Sequence, residues 1–443
     1  MKKLSLATFG IIIIAVIYYM TSGSTQLVSQ VKSQVDTELA SLQTQGFSVQ
    51  GRELSETKEH FILTFDDPEK IAAFFTQHGA QLSVADAEVF KGLQIGVDIS
   101  YLADAYSGIS FDLYPVTLPT SITSSATTPE DKEILGQIEQ MLAKKTFLIH
   151  FDINKLGTGF KGYMKDIDEV LKSDTTVKML LSKLEFSGDI KEDRVQSMQQ
   201  SLQSMRIDAG DTFNFDMSGV KSHYTITGAT LYDYKTNYSI EKISMQEKGV
   251  MMFAADHFEA MSDTTVKDSL ASTTLKTKTG NIVITDQDNK IVLDTLLLNM
   301  NANNLDMSAL EQLGKADPNN EKEINDALQK LISHGVQLEI PVFSVAHIEN
   351  LGQKMEGFHL STLLNIDKSL NIAALQQNPL LALNAFSANL DLSLSKELYT
   401  IIGQQPEAIM AMMLFQPKDV NGKKVYKVEL KDGRLTVNGS PVM

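Results

Sequence analysis

Alternation of apolar and polar residues is the main pattern along this chain. It is clearest from 298 to 303 and from 386 to 394, where every second residue is apolar. Successive side chains of a strand point to opposite faces, so each stretch predicts a strand with one apolar and one polar face, as in antiparallel sheets. Asp288-Asn289 and Asp432-Gly433 lie between such stretches and predict hairpin turns. The pattern therefore predicts a β-dominated α+β fold with extended antiparallel sheet.

A few segments repeat apolar residues every three or four positions, which predicts helices. One amphipathic helix is predicted from Leu27 to Leu42, ending near Gly46. Asp67-Pro68 and Thr128-Pro129 predict two more helix starts, because Asp and Thr cap helices and Pro fits the first turn. Further helices are predicted around 195–205, 324–332 and 409–415. We expect these few helices to cover parts of the sheet.

The second half of the chain contains repeated sequence. Ser173–Lys178 recurs letter for letter 89 residues later as Ser262–Lys267, and similar segments begin at Asn214, Asn304 and Asn389. These spacings predict a β-rich repeat of about 85–90 residues. The predicted organisation is a cytoplasmic stub and transmembrane anchor (1–23), a membrane-proximal helix (24–46), an N-terminal α+β region (47–172) and a repeated β-rich region (173–443), with units at about 173–261 and 262–350 and a degraded unit at 351–443.

The N-terminal residues predict a single membrane span. The chain is uncharged from Leu4 to Met20, which is about 25 Å of helix at 1.5 Å per residue. Lys2 and Lys3 precede this stretch and the next basic residue is Lys32, so the positive-inside rule leaves the N-terminus cytoplasmic. Nearly all of the remaining chain would then lie outside the cytoplasm.

A cleaved signal peptide is the alternative interpretation of this stretch. Small residues from Thr21 to Ser24 resemble a weak cleavage site. Tyr18 and Tyr19, where a small residue is expected, and the length of the apolar run favour an uncleaved signal anchor.

The composition excludes several classes of protein. The formal charge of −16 and the presence of only four Arg residues argue against a nucleic-acid partner. The absence of Cys excludes disulfides, Cys-ligated metals and thiol nucleophiles. Without Lys2 and Lys3 the remaining chain carries a formal charge of −18, so anionic lipid headgroups would repel it.

No sequence motif identifies a catalytic, metal or cofactor site. The eight His never occur at the i, i+4 spacing of helical zinc sites, and no G-x-S-x-G elbow or P-loop is present. His257 and Glu259 could share a strand face, but a structural role is the favoured interpretation. We expect no catalytic residue, cofactor or metal. A hydrolase with dispersed acid and base residues stays open, because active sites form in space rather than along the sequence.

Two groups of residues are candidates for an interaction surface. Tyr224, Tyr232, Tyr234 and Tyr238 fall within fifteen residues on strand-like sequence, where they could stack on sugar rings or form cross-strand aromatic pairs. Met410, Met412 and Met413 could form an adaptable surface for lipid or protein, or one face of a helix packed on the sheet. The structural alternative is favoured in both cases.

The C-terminal segment from Tyr426 to Pro441 resembles the closing hairpin of the YdgA-like family of bacterial proteins. The strand-to-helix segment from Asn304 to Leu310 and the single N-terminal apolar segment are similar to that family as well. The resemblance implies an inner-membrane protein of a Gram-negative bacterium with its bulk in the periplasm. The family is largely uncharacterised, so the resemblance assigns no site residue.

These observations favour a membrane-anchored periplasmic protein of non-enzymatic type. Its sheet would serve as a scaffold or would bind lipid or an envelope protein in an apolar groove, since alternating strands need a covering layer and few helices are available. A cell-envelope hydrolase is the alternative. A continuous apolar trough would favour the first hypothesis, and a polar cleft with convergent titratable groups would favour the second.

Overall fold

The structure is a computed structural model that describes residues 28–77, 82–102, 104–191, 194–230, 232–248, 250–286, 289–316, 320–377, 383–405, 412 and 415–442. The chain divides into two compact units, Met1–Asn214 and Phe215–Met443. Strand β10 (Phe213–Ile226) begins at the end of the first unit and lies mostly in the second.

The first unit combines an antiparallel sheet with short helices. Its helices are α1 (Val28–Thr44), α2 (Pro68–Gln77), α3 (Val84–Val89), α4 (Thr120–Thr123) and α5 (Pro129–Ala143). Its strands are β1 (Phe47–Leu54), β2 (Lys58–Phe65), β3 (Gln94–Tyr101), β4 (Ser107–Thr117), β5 (Ile149–Asn154), β6 (Gly159–Met164), β7 (Ile167–Leu171), β8 (Val177–Lys191) and β9 (Arg194–Asp208). The pairing order is β1–β2–β3–β4–β5–β6–β8–β9, and β7 also pairs with β8.

The core of the first unit lies between one face of this sheet and helices α1 to α3. Alternate residues of β2, β3 and β4 are buried, while α1 contributes Leu42 and α2 contributes Phe74. The Phe47 ring makes edge contacts with Phe65 and Phe74, at centroid distances of 5.0 and 5.4 Å. The other face of the sheet carries Asp98, Asp112 and His150, and Lys145, just after α5, contacts Asp98.

The second unit is built mainly from long antiparallel strands. After β10 they are β11 (Tyr234–Glu247), β12 (Met251–Lys267), β13 (Leu270–Asp286), β14 (Asn289–Asp306), β15 (Val336–Asn350), β16 (Gln353–Ile366), β17 (Phe386–Ser395), β18 (Lys418–Val420), β19 (Lys423–Lys431), β20 (Arg434–Val437) and β21 (Ser440–Pro441). Its helices are α6 (Met307–Lys315), α7 (Glu321–Leu331), α8 (Ile372–Gln377) and α9 (Lys396–Ile402). From β11 to β17 each strand pairs with the next along the chain, β19 follows β17 in the sheet, and β18 and β20 both pair with β19.

Two predicted helix starts and one predicted hairpin are confirmed. At the other predicted hairpin, Asp288 lies outside the described residues and Asn289 is already in β14, opposite Asp286. Helix α2 begins at Pro68, and α5 begins at Pro129 with a capping box between Thr128 and Asp131. The predicted turn at Asp432-Gly433 joins β19 to β20, with Lys431 opposite Arg434. Both of its residues have positive φ, at 49° and 69°, as a tight hairpin turn requires.

The helix predicted at 195–205 is wrong, because this segment is strand β9. Its apolar residues recur every three or four positions, but they are used in pairing with β8, where Leu202 lies opposite Leu184 and Met205 opposite Leu181. Val195 and Met198 pack against the core of the first unit. Tertiary pairing has therefore overridden a helical spacing that local sequence alone favours.

The two copies of the repeated hexapeptide occupy different structures. Ser173 to Thr176 precede β8, whereas Ser262–Lys267 is the end of β12. The predicted change from strand to short helix is present after Asn304, where β14 leads directly into α6, and after Asn389, where β17 leads into α9. The repeat units stay a prediction.

None of the described helices is long and apolar enough to cross a membrane. The predicted anchor from Leu4 to Met20 lies outside the described residues. The amphipathic helix predicted from Leu27 to Leu42 is present as α1, which contributes Val35, Leu39 and Leu42 to the core of the first unit. Its position near a membrane stays a prediction.

Candidate functional site: an apolar trough on the second unit

One face of the sheet in the second unit is apolar across several consecutive strands. Residues directly opposite each other in neighbouring strands share a face. One row across this face joins Leu275 of β13 to Met300 of β14, and Ile340 of β15 to Thr362 of β16 and Leu390 of β17. The row beside it contains Thr273, Ala302, Leu338, Leu364 and Ala388.

Two further rows continue the same face along the strands. One contains Thr277, Leu298, Phe343, Leu360 and Leu392, and the other contains Thr279, Leu296, Val345, Phe358 and Leu394. Three of these rows continue onto β12 through Ser262, Thr264 and Ala260, and onto β11 through Thr236, Tyr234 and Tyr238. We call the face formed by these rows from β11 to β17 the trough.

The middle of the trough is open to solvent. Met300 is 40% exposed and Leu338 is 39% exposed, whereas buried core residues of this unit such as Val345 are 3% exposed. A cavity of about 490 Å³ lies over this part of the sheet. It is lined by Ser262, Thr273, Leu275, Met300, Asn301, Ala302, Leu338, Glu339, Ile340, Thr362 and Leu364. Its size is within the range of small-molecule sites.

Helices cover this face near the two ends of strands β15 to β17, on either side of the open strip. At one end Ile332 and Val336 form a buried cluster with Leu370, against which Ile366 and Phe386 pack. At the other end Leu398 of α9 packs with Leu394, Phe358 and Leu392. The apolar face is thus covered at its ends and exposed between them.

The opposite face of the same strands is polar. The side chain of Asn303 donates a hydrogen bond to Gln337, which donates to Asn365, which in turn donates to Ser387, at 3.2, 3.1 and 3.2 Å. This ladder of amides crosses four strands, β14 to β17. These amide side chains would be unpaired on the apolar face, where burying a polar group without a hydrogen bond is costly.

Two short helices at the trough are held by side-chain caps. Asp306 accepts a hydrogen bond from the Ala309 N–H at the start of α6. Burial alone would raise the pKa of Asp306, but hydrogen bonds from Ser308 and Ala309 outweigh it and lower the pKa. Ser395 accepts from the Leu398 N–H and donates to the Glu356 carbonyl. Each helix therefore begins where its strand ends.

Two of the predicted tyrosines lie on the trough, one contacts it from β10, and one lies elsewhere. Tyr234 and Tyr238 lie on the trough face of β11, opposite Thr264 and Ala260. The Tyr224 ring lies 5.8 Å from that of Tyr234, and the Tyr238 ring meets Phe258 edge-on at 6.1 Å. These contacts are the predicted cross-strand aromatic pairs. The Tyr232 hydroxyl instead donates to Glu311 of α6 at 2.8 Å.

The predicted methionine surface is described only in part. Met410 and Met413 lie outside the described residues. Met412 lies near Gly403 at the end of α9, because a Cβ added to Gly403 would be 3.1 Å from its sulfur atom.

A second cavity, of about 250 Å³, is lined in part by Glu241, Asp256, His257 and Asn281. The Asp256 carboxylate accepts a hydrogen bond from the Asn281 N–H at 2.8 Å, which lowers its pKa. His257 contacts Asp256 at 3.1 Å and its side chain is 74% exposed. Its only charged partner among the described residues is this neighbour. His257 and Glu259, which could share a strand face, make no described contact with each other.

The first unit contains a polar cluster that the sequence did not identify. His150 Nδ1 lies 2.7 Å from an Asp112 oxygen, and His150 Nε2 lies 3.3 Å from an Asp152 oxygen. The Ser110 hydroxyl donates to Asp152, and Lys161 lies 3.9 Å from the same carboxylate. The hydrogen bond with Asp112 raises the pKa of His150 and Asp152 adds to the rise, against the opposing effect of burial.

A neighbouring group on the same sheet face centres on Asp98. It contacts His60 at 2.6 Å and Lys145 at 2.9 Å, and the Lys145 ammonium lies 3.7 Å from the centre of the Tyr114 ring. Burial would raise the pKa of Asp98, but the hydrogen bonds from Lys145 and His60 outweigh it and lower the pKa.

The sequence carried one signal for these clusters. Ser110 and Asp112, and likewise His150 and Asp152, are separated by one apolar residue, so each pair shares a strand face. Which strands become neighbours could not be read from that spacing. Within the described part of the chain, no group of three or more His, Asp or Glu could hold a metal ion.

The trough and the polar cluster therefore present two different kinds of chemistry, one on each unit. Comparison with protein-family models, curated proteins and solved structures finds no match to this chain.

Proposed function

We propose that this chain is a membrane-anchored periplasmic protein that binds a long apolar chain, such as the acyl chain of a lipid, in the trough. The observation that supports the proposal is the half-exposed strip of Met300 and Leu338 between two covered ends. Large apolar side chains left open in the middle of an otherwise packed face are typical of binding surfaces.

The dimensions of the trough suit one extended chain. The cavity extends over the five strands β12 to β16, and at about 4.8 Å between strands this strip is about 20 Å long. Burying an alkyl chain along the aliphatic part of this strip contributes about 0.8 kcal/mol for each methylene group removed from water. A chain of about a dozen carbons would thus bind without any polar contact.

The anchoring part of the proposal rests on the sequence. Leu4 to Met20 would span the membrane, with Lys2 and Lys3 on the cytoplasmic side. The mass of the mature protein tests this part. A chain that begins near Ser24 would mean that the segment is cleaved.

Photolabelling tests the binding site directly. The full chain, in bilayer discs of phosphatidylcholine, is irradiated with a 12-carbon alcohol that carries a diazirine at the end of its alkyl chain. We expect labelled peptides from β14 to β17, and we expect Met300→Glu to reduce labelling at least tenfold because its carboxylate would be desolvated by the bound chain.

Asn299→Glu is the matched control for this experiment. It adds the same charge at the adjacent position of β14, on the opposite face of the sheet, and should leave the labelling unchanged. Equal labelling of the two variants, or labels spread evenly over the chain, would refute binding in the trough.

We propose acid–base hydrolysis at the polar cluster as the second candidate function. It is supported by His150 between Asp112 and Asp152, with the Ser110 hydroxyl directed at Asp152. A hydrolase would turn over p-nitrophenyl esters, and Asp152→Asn would slow it at least tenfold while His334→Gln in the second unit would not. Absence of turnover by the unmodified chain would reject this candidate.

A further inference from the structure

The trough is not uniform along its length. On β14 to β17 its four rows consist of Leu, Ile, Val, Phe, Met and Ala with a single hydroxyl, that of Thr362. On β11 to β13 the same rows contain mainly hydroxyl side chains. These are Tyr234, Thr236, Tyr238, Ser262, Thr264, Thr273, Thr277 and Thr279. One part of the trough is therefore aliphatic and the other part is rich in hydroxyl groups.

Two tyrosine hydroxyls in the second part, and that of Tyr224 on β10 beside it, are available to a ligand. Within the described part of the chain, those of Tyr224, Tyr234 and Tyr238 make no hydrogen bond, and none of them is a buried unsatisfied atom. Their rings are half-buried against one another or against Phe258. An aromatic ring with a buried body and a free polar end is suited to the boundary between an apolar and a polar ligand group.

No charged residue occupies a trough position on any strand from β11 to β17. Lys235 and Asp263, which lie between trough positions of β11 and β12, form an ion pair at 2.9 Å with each other on the other face. An anionic headgroup would therefore meet no cation on the trough face. It would also approach a chain whose formal charge is −16.

We propose that the trough binds an amphiphile with an uncharged, hydroxyl-bearing headgroup, as in a glycolipid, and holds it in one orientation. Within the cavity, the alkyl chain lies over the aliphatic strands β14 to β16, and the headgroup lies over β12 and β13, next to the tyrosines of β11. The Tyr234, Tyr238 and Ser262 hydroxyls exchange hydrogen bonds with the headgroup hydroxyls, and the tyrosine rings pack against the sugar. Thr264 and Thr273 bond each other, and Thr277 donates to the Leu298 carbonyl, so these hydroxyls serve the sheet instead. This inference rests on the proposed function, because it requires that an apolar chain binds in the trough.

The experiment compares three probes with the same alkyl chain. Each carries a diazirine at the end of a 12-carbon chain, and the headgroup is a maltoside, a phosphate or a simple hydroxyl. With the full chain in phosphatidylcholine discs, we expect the maltoside to label β14 to β17 at a concentration at least tenfold lower than the phosphate. Free maltose should not compete.

Removing two hydroxyls tests the headgroup contacts. Tyr234→Phe/Tyr238→Phe retains both rings, and the loss of two hydrogen bonds should raise the maltoside concentration needed about tenfold. Labelling by the simple alcohol should not change. Tyr232→Phe is the matched control, because its hydroxyl binds Glu311 and not the trough.

The outcomes separate the two proposals. If the alcohol labels the trough but maltoside and phosphate are equivalent, or if the double Phe variant behaves as the unmodified chain, the headgroup assignment is overturned and the trough remains. If no probe labels the trough, the proposed function itself fails. Competition by free maltose would indicate a site for the sugar alone and would refute the proposal that the ligand is an amphiphile.

Discussion

Leu275 and Met300 lie directly opposite each other on β13 and β14, and Met300 is 40% exposed although its neighbours on the face are apolar. A side chain in this position contributes less to folding than a buried one, because only part of its surface leaves water. The exposure of an apolar side chain on this face therefore indicates whether it mainly stabilises the fold or is available to bind a ligand.

Two methionines of the second unit should therefore differ in their effect on stability. Met300→Ala should lower the free energy of unfolding by less than about 1 kcal/mol. Met355→Ala, at a site that is 5% exposed, should lower it by about 2–5 kcal/mol because it leaves a cavity. Urea denaturation followed by circular dichroism measures both, and equal losses would show that Met300 is part of the packed core.

The Ser395 cap should stabilise α9, the helix that covers Leu394. Ser395→Ala removes an acceptor for the Leu398 N–H and a donor to the Glu356 carbonyl, so we expect a loss of about 1–2 kcal/mol. Ser393→Ala, two residues earlier on the same strand, is the control and should cost less than about 0.5 kcal/mol. Thermal unfolding of both variants checks this expectation, and a larger effect at Ser393 would contradict it.

Arg52 joins two carboxylates of very different exposure. Glu59 is fully buried and contacts Arg52 at 2.7 Å, while the Asp36 side chain is 59% exposed and contacts the same guanidinium. Arg52→Met leaves a buried charge whose remaining hydrogen bond comes from Tyr101, and should destabilise the first unit by about 3 kcal/mol.

Asp36→Ala removes only the exposed partner and should cost less than about 1 kcal/mol. Hydrogen exchange of β1 and β2 compares the two variants within one unit. If Asp36→Ala destabilised the first unit as much as Arg52→Met, the burial of Glu59 would not explain the loss of stability.

His150 should make the first unit sensitive to pH. Its pKa is raised above its usual value of 6.5, through the hydrogen bond with Asp112 and the charge of Asp152, although burial opposes the rise. Protonated His150 then stabilises the fold, so this contribution is complete below about pH 6.5 and is lost as the pH rises through the raised pKa.

Titration of the His150 ring by NMR spectroscopy measures this pKa. Its midpoint should lie above 6.5, and Asp112→Asn should lower it. Asp391→Asn, on β17 of the second unit, is the control and should leave the midpoint unchanged. A midpoint at or below 6.5 in the unmodified chain would refute the predicted sign of the pH dependence.

The pattern of alternation was sufficient to predict the class of fold because it is a local property. Met300 and Ala302 alternate with Asn301 and Asn303 in the sequence, and any strand must place these two pairs on opposite faces. Helix starts such as Thr128-Pro129 were predicted for the same reason, since a cap and a first-turn proline act within one turn. The charge and the lack of Cys likewise required no structure.

Other features depend on contacts between residues far apart in the chain. The segment 195–205 has helical spacing but becomes a strand because β8 pairs with it. His150 meets Asp112 because β4 and β5 are neighbours, across 38 residues of chain. That the apolar face is open at Met300 and covered at Leu394 depends on where α9 packs.

The sequence by itself therefore determined that this chain forms antiparallel strands with one apolar and one polar face, and few helices, because side-chain alternation and helix capping act over a few residues. Tertiary structure alone decided which strands pair, where hydroxyl and aliphatic rows meet, and which part of the apolar face stays uncovered. The physical reason is that register and burial are set by the packing of distant segments, whose free energy no local pattern contains.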